Sequence, residues 1–423
     1  MNVLASLLLL ALQAPGTLDV AESGDAPARK ITVTSPGVYR AVVWQASGGG
    51  IMEFYDLAAD PEAKINLAGW DRGLFEVGWH GRNYKSTGAG PDCCRKHIIY
   101  GKTDDVCYDG CRDWPSIGHK DLKAEGKLEI VEKSAARVRV RAESVFTWWA
   151  KYADPDMPIA AVYTFYPNGR IAVQVRVRKT GNEPFRWSAE YGPHLFLAAP
   201  KEKPELNPLF TFSTPTVSTI PDGFKGSAEA LVLAVSPKVR TTFLLTIPTE
   251  FQTLFSRHWR HDGRSVRWDR AGYGSETIVM EPGYDSTWAC LIQMGTADNA
   301  IAPSMATPPE ALPHAIQYRS PPAIRGAELI KDDEGDFNRD GFNESEACTV
   351  LRGPGPLRLT MDRGDGAGFA PAFKVRGWKG EAVRSVEIDG KEVPASSAVV
   401  GDALILQVHG RIAGGPATMK IGK

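Results

Sequence analysis

A chain of 423 residues, 43% hydrophobic and 23% charged, is long enough to bury a large core and to divide into two or three domains. Its net charge of −1 removes any electrostatic reason to expect nucleic acid or an acidic membrane as partner. Gly 42 and Pro 30, set among short β-branched runs, indicate a turn-rich, all-β chain.

The N-terminus reads MNVLASLLLLALQAPG, and its apolar run from Val3 to Leu12 is too short to span a bilayer. It has the length of a signal-peptide core, although no Lys or Arg precedes Arg29. The small residues Ala26-Pro27-Ala28 close the expected leader, 1–28, and the protein is expected to be secreted or periplasmic. No other segment is apolar enough to cross a membrane. Cys93, Cys94, Cys107 and Cys111 then crowd into one polar loop, which reads as two local disulfides formed in an oxidising compartment. A zinc site assisted by His97 or His119 is the rival reading. Cys290 and Cys348 stand apart and are candidates to pair across domains, with connectivity left open.

Period-two alternation predicts strands at KLEIVE (127–132), ARVRVRAES (136–144), RIAVQVRVR (170–178), ALVLAV (230–235), TTFLLTI (241–247), ETIVM (276–280) and WACLIQM (288–294). Asn168-Gly169 suits a tight hairpin turn between two of these runs. In RVRVR the arginines alternate with valines, as on a sheet with one solvated face. A proline-rich stretch marks a linker over 301–327. Beyond it LRLTM, AFKVRGW, RSVEIDGKEV and ALILQVHG supply strands for a C-terminal β-sandwich over 328–423.

Several segments of the region 29–300 resemble the galactose-mutarotase-like β-supersandwich. They are GGGIMEFYDL (48–57), LFEVGWHG (74–81), TFYPNGRIAVQVRV (164–177), EYGPHLFL (190–197) and EPGYDSTW (281–288). The resemblance implies a large β-supersandwich followed by a small β-sandwich, and a polysaccharide or oligosaccharide partner. It does not choose a reaction. The aldose epimerases carry a motif like N-H-x-Y-x-N that is missing here, so simple mutarotation is not expected.

Three groups of residues carry chemistry. Asp336, Asn338, Asp340 and Glu344, with the carbonyl of Phe342, fit a short D-x-N-x-D-G-x-x-E loop that presents only hard oxygen ligands. This loop resembles the calcium loops of FG-GAP repeats, and a structural Ca2+ is expected there. The stretch FSRHWRHDGRSVRW (255–268) places His258 and Arg260 on one face of a strand and Trp259 and His261 on the other. Glu190, Tyr191 and His194 precede and follow Gly192-Pro193, and simple alternation puts Glu190 and His194 on one face unless that pair breaks the phase.

β-Elimination on a uronate needs a base near neutral pKa, an acid for the leaving oxygen and a cation on the carboxylate. His258 or His194 is the expected base, Tyr191 the acid, and Arg260 or Arg82 the carboxylate partner. Trp79, His80, Arg82, Tyr84, Trp259 and His261 are expected to hold the sugar by stacking and hydrogen bonding. Two alternatives stay open. A glycoside hydrolase would draw its paired carboxylates from Glu76, Glu190, Glu276 and Asp285, and a non-catalytic carbohydrate-binding protein would use the aromatic groove alone. No G-x-S-x-G elbow, Walker loop, dinucleotide fingerprint or H-E-x-x-H pair occurs. Oligomeric state is not legible.

Overall fold

The computed structural model describes residues 16–69, 72–81, 97–99, 102–104, 116–119, 125–145, 158–182, 185–197, 209–213, 217–219, 225–227, 232–236, 238–239, 241–248, 258–261, 265–270, 278–295, 323–362, 368–369, 371–412 and 415–422. Among these residues the regular structure is strand throughout, apart from one 3-10 turn at Gln45–Ser47. No helix among them is long and apolar enough to cross a membrane.

The larger part is a sandwich of antiparallel sheets. A nine-stranded sheet runs from Val217–Thr219 at one edge, through Asp285–Gly295 and Arg170–Arg178, to Glu125–Lys133 at the other. A seven-stranded sheet faces it and contains β1 (Arg72–Gly81), β2 (Ser116–His119), β3 (Phe185–Phe196), β4 (Lys225–Ser227), β5 (His258–His261), β6 (Ser265–Arg270) and β7 (Ile278–Met280). Its order is β4-β5-β6-β3-β1-β2, with β7 pairing β3. A four-stranded sheet, Asp19–Ser23, Lys30–Ser35, Tyr39–Trp44 and Gly50–Asp56, completes this part.

Alternation explains the shared core. Ile31 and Val33, Phe75 and Val77, Leu195 and Leu197, and Ile171, Val173, Val175 and Val177 are buried in one cluster drawn from all three sheets. Phe75 of the seven-stranded sheet meets Tyr163 of the nine-stranded sheet edge-on, with ring centroids 6.2 Å apart. Each such side chain contributes roughly 1.5–3 kcal/mol relative to exposure. The arginines of RVRVR (137–141) behave differently along one run, since Arg137 is buried, Arg139 half-buried and Arg141 exposed. The Asn168-Gly169 turn joins Phe165 to Arg170, with Gly169 at φ 80°.

The C-terminal part forms a ten-stranded sheet around its own core, which includes Leu351, Leu359, Phe373, Trp378, Leu404, Leu406 and Met419. Asp389 and Gly390, at φ 49° and 78°, make the tight turn of one hairpin. This part packs on the sandwich through Tyr166 with Ile330, Cys348, Val350 and Ala372, and through Ala172 and Leu291 with Phe342 and Ala347. A charged junction lies beside these contacts. Glu346, 4% exposed, receives Arg137 at 2.6 Å, Arg139 at 3.2 Å and Lys374 at 3.3 Å.

Two strands and one cysteine pair differ from expectation. Asp19–Ser23, inside the expected leader, is a strand paired with Lys30–Ser35, and Leu18 is buried in the main core. Four of its five residues are exposed, so hydrophobic periodicity cannot announce it. Ala323–Arg325 already pairs with Leu357–Asp362, so the C-terminal sheet begins inside the expected linker, whose residues 301–322 lie outside the described residues. Cys290 and Cys348 are both buried and free, held in separate apolar clusters, so the expected cross-domain pairing does not form. Cys93, Cys94, Cys107 and Cys111 lie outside the described residues.

Candidate active site

On β1 and β3, Phe75, Val77 and Leu195 share one face, and the intervening positions share the other, where Leu74 is buried in the same core cluster. Two of those positions carry charge-bearing side chains that are nevertheless buried: Glu76 is fully buried and His194 is 2% exposed. They stand directly opposite each other in the β1–β3 ladder. His194 Nδ1 lies 3.1 Å from Glu76 Oε2, and Arg72 Nη1 donates to both Glu76 oxygens at 3.1 and 2.9 Å. Arg72, four residues before Glu76 on the same strand, is 18% exposed and is the member of the trio that reaches solvent. Phe196 closes the group, its ring edge-on to the imidazole at 6.0 Å.

The electrostatics follow from this geometry. Burial by itself raises the Glu76 pKa, but the hydrogen bond and charge of His194, together with Arg72, outweigh it and hold the carboxyl at about 2. Glu76 is therefore an ionised acceptor at neutral pH. A carboxylate against one imidazole nitrogen fixes the orientation of the ring and leaves the other nitrogen as the one that can face a substrate. Gly118 allows β2 to lie close alongside. At φ 103°, a Cβ there would sit 2.4 Å from the Phe75 carbonyl oxygen and 3.3 Å from Glu76 Cα.

A bulge sets which neighbours join the pair. Between Tyr191 and His194, β3 advances from 191 to 194 while β6 advances only from Asp269 to Arg267, and β1 only from Gly78 to Glu76. The extra residue falls at Gly192-Pro193, where proline has no N–H for the ladder. Tyr191 thereby takes the same register parity as His194, while Glu190, opposite Trp79 and Arg270, takes the other. Simple alternation from Glu190 to His194 is corrected by this bulge.

Two cross-strand rows result. The first runs Glu76, His194, Arg267, Arg260, Lys225 across β1, β3, β6, β5 and β4. The second runs Gly78, Tyr191, Asp269, His258, Ser227 over the same strands. Of the sequence-derived candidates, His194, Tyr191, His258 and Arg260 thus occupy neighbouring rows of one sheet. His80 shares the register parity of Glu76 on β1, and Trp79 that of Val77. Trp259 stands opposite Trp268, and His261 opposite Val266, in the parity of the core residue Leu195. They are not brought to the His194 rows. Arg82 and Tyr84 lie outside the described residues, as does Glu276. Sequence reading placed Arg267 in the stretch 255–268 without giving it a role, missed Arg72 and Lys225, and gave Glu76 no link to His194. The one available signal was the even spacing of Arg72 and Glu76 in a strand.

The acidic loop is a separate feature. Carboxyl oxygens of Asp336, Asp340 and Glu344 lie within 4.8 Å of one another. Asn338 joins them by accepting from the Asp340 amide at 2.9 Å and donating to its carboxylate at 3.1 Å. The Phe342 amide donates to Asp340 at 2.7 Å. Gly341, at φ 97° with Leu329 2.8 Å from where its Cβ would lie, makes the sharp turn. Burial, followed by the charge of Asp340, raises the Asp336 pKa. Three converging hard oxygens suit a cation such as calcium.

No family model and no curated relative matches the chain. Solved structures similar to it include a galactose mutarotase-like protein from Lactobacillus casei, at 11% identity and TM-score 0.35, covering 66% of this chain and 100% of that one. A galactose 1-epimerase from Lactobacillus acidophilus is similar at 6% identity and TM-score 0.37, over 66% and 99%. A GH36 α-galactosidase from Geobacillus stearothermophilus is similar at 8% identity and TM-score 0.33, over 65% and 41%.

Proposed function

We propose that this protein is an exported carbohydrate-active enzyme that cleaves a uronate-containing polysaccharide by β-elimination. The observation that carries this reading is the buried His194–Glu76 pair, in backbone register with Arg267 and Arg260. His194 removes the proton from the carbon beside the uronate carboxylate. The electron pair forms the ring double bond and expels the glycosidic oxygen, which takes its proton from Tyr191. Glu76 holds the imidazole in place. Arg267 and Arg260 neutralise the carboxylate whose neighbouring carbon is being deprotonated.

The hydrolase alternative is less well supported. An acid catalyst must be protonated near neutral pH, and Glu76 is held at about 2. Asp285 lies on the other sheet, where it is paired with Arg176 at 2.5 Å, and Glu190 has the opposite parity to His194. A calcium ion held by Asp336, Asn338, Asp340, Glu344 and the Phe342 carbonyl would brace the C-terminal part and take no part in catalysis.

The test is incubation of the purified protein with acidic and neutral polysaccharides, following new reducing ends and the ultraviolet absorbance of an unsaturated uronate. Both signals are expected, and both should vanish in His194→Ala. Reducing ends without absorbance would replace elimination by hydrolysis. Retention on a polysaccharide column with neither signal would leave a binding protein.

A further inference from the structure

A groove of about 950 Å3 opens on the C-terminal part, bordered by none of the residues of the candidate active site. Sites for small ligands commonly have volumes of roughly 300–1,000 Å3. Leu359, Met419 and Val386 turn into the core of this part, so Arg358, Lys420 and Glu387 point outward. These three form one cross-strand row, in which Lys420 donates to Glu387 at 2.5 Å. The segment 378–384 makes a wall beside the row. It is fastened by Trp378 Nε1, which donates to the Glu381 carbonyl at 3.0 Å, and by the Val383 amide, which donates to Ser397 Oγ at 2.7 Å. Glycine lets the chain lie close against the indole, since a Cβ at Gly422 would sit 3.1 Å from Trp378 Cη2.

Two guanidiniums bracket the groove. Arg358 and Arg384 are exposed, and neither side chain has a hydrogen-bond or ion-pair partner among the described residues. Two strand spacings and three residues of rise separate the two positions, about 14 Å. With Lys420 they are balanced by the acids Glu381, Glu387 and Glu392, so the lining carries no net charge and favours neither a polyanion nor a polycation. The strands beneath, Pro416–Ile421 and Ser385–Ile388, are each paired on both sides, so an extended peptide finds no free edge to join. A ligand rich in hydroxyls fits this lining. Its hydroxyls accept from the guanidiniums and donate to the carboxylates, while its C–H faces lie on Leu357 and Val383.

We infer that this groove binds a neutral saccharide, and that the C-terminal part anchors the protein to carbohydrate apart from the site of reaction. The inference takes its carbohydrate reading from the proposed function. It adds a second, non-catalytic site with a different ligand: neutral sugars, not the uronate that reacts at His194.

The experiment is affinity electrophoresis of the full chain through neutral galactan, xylan, mannan and β-glucan, with polygalacturonate beside them, at several salt concentrations. Wild type is compared with His194→Ala, Arg358→Ala, Arg384→Ala and the double arginine variant, with Lys331→Ala as an exposed lysine outside the groove. Wild type and His194→Ala are expected to be retained equally by at least one neutral polymer. Each arginine variant should weaken that retention about fivefold, the loss of one hydrogen-bonding group. The double variant should weaken it about twenty-five-fold, because groups this far apart act independently. Lys331→Ala should change nothing. Retention should hold as salt rises, since a neutral ligand brings no charge to screen. Melting temperatures of the arginine variants should match wild type, because neither side chain has a partner to lose. Absence of retention on every neutral polymer, unaltered retention of the double variant, or retention that collapses with salt overturns the groove. The two readings fail separately. Neutral-polymer retention without unsaturated uronate removes elimination and leaves the groove, while unsaturated uronate with no effect of the arginine variants does the reverse.

Discussion

Glu346→Gln tests how the C-terminal part is fastened to the sandwich. The Glu346 carboxylate is 4% exposed and meets Arg137, 3% exposed, at 2.6 Å. Arg139 and Lys374 approach its other oxygen at 3.2 and 3.3 Å. Burial pushes the Glu346 pKa up, but Arg137, Arg139 and Lys374 reverse this and hold it at about 2, against an ordinary 4.5. That difference corresponds to roughly 3 kcal/mol of stability at neutral pH. Removing one partner of a buried pair independently costs about 3–5 kcal/mol. Arg137 keeps Glu132, at 2.7 Å, which favours the lower end. The variant should therefore lose about 3 kcal/mol and, at about 2 °C per kcal/mol for a large chain, melt about 6 °C lower. The pH dependence has a definite sign. A depressed carboxyl pKa stabilises the fold above about 4.5, and this contribution is lost as pH falls toward 2. Denaturant unfolding of both proteins across that window should show the gap closing in acid. A loss below about 1 kcal/mol at pH 7, or a gap that persists at pH 2, would refute the argument.

Three further outcomes follow from the same geometry. Glu76→Gln, which leaves His194 without its carboxylate, should lower turnover roughly a hundredfold to ten-thousandfold, measured by uronate absorbance. Calcium should raise the melting temperature by mass action, about 2.7 kcal/mol at a hundredfold excess over Kd, and Asp340→Ala with Glu344→Ala should abolish that response to calcium or to a chelator. Gly118→Ala places a Cβ 2.4 Å from the Phe75 carbonyl oxygen at φ 103°, and should cost about 2–4 kcal/mol in denaturant unfolding.

How much of this was legible depended on whether the signal was local. RIAVQVRVR alternates over nine residues and forms the strand Arg170–Arg178 without shift. Asn168-Gly169 and Asp389-Gly390 announce their turns because Gly169, Asp389 and Gly390 take the positive φ that favours such residues. Asp19–Ser23 was invisible because an exposed edge strand needs no apolar alternation. The charged junction was equally hidden, since Arg137 and Glu346 are separated by 209 residues and meet only when two sheets pack.

The candidate site lies between these extremes, and the bulge on β3 shows why. Reading Glu190, Tyr191 and His194 by alternation requires one residue per ladder step, and Gly192-Pro193 breaks that condition. With the extra residue, Tyr191 joins the rows of His194 and His258 and Glu190 leaves them. A sequence marks where a bulge is permitted, through a glycine and a residue without an N–H. Whether the ladder absorbs an extra residue there is decided by the strands on either side, and both β1 and β6 must accept the same shift. They do so here, Gly78 to Glu76 on one side and Asp269 to Arg267 on the other. The same shift places a candidate proton donor, a candidate base and two arginines in adjacent rows of the backbone register. Restoring a regular strand by deleting Gly192 would move Tyr191 to the opposite parity, so that deletion should abolish turnover even in a protein that still folds.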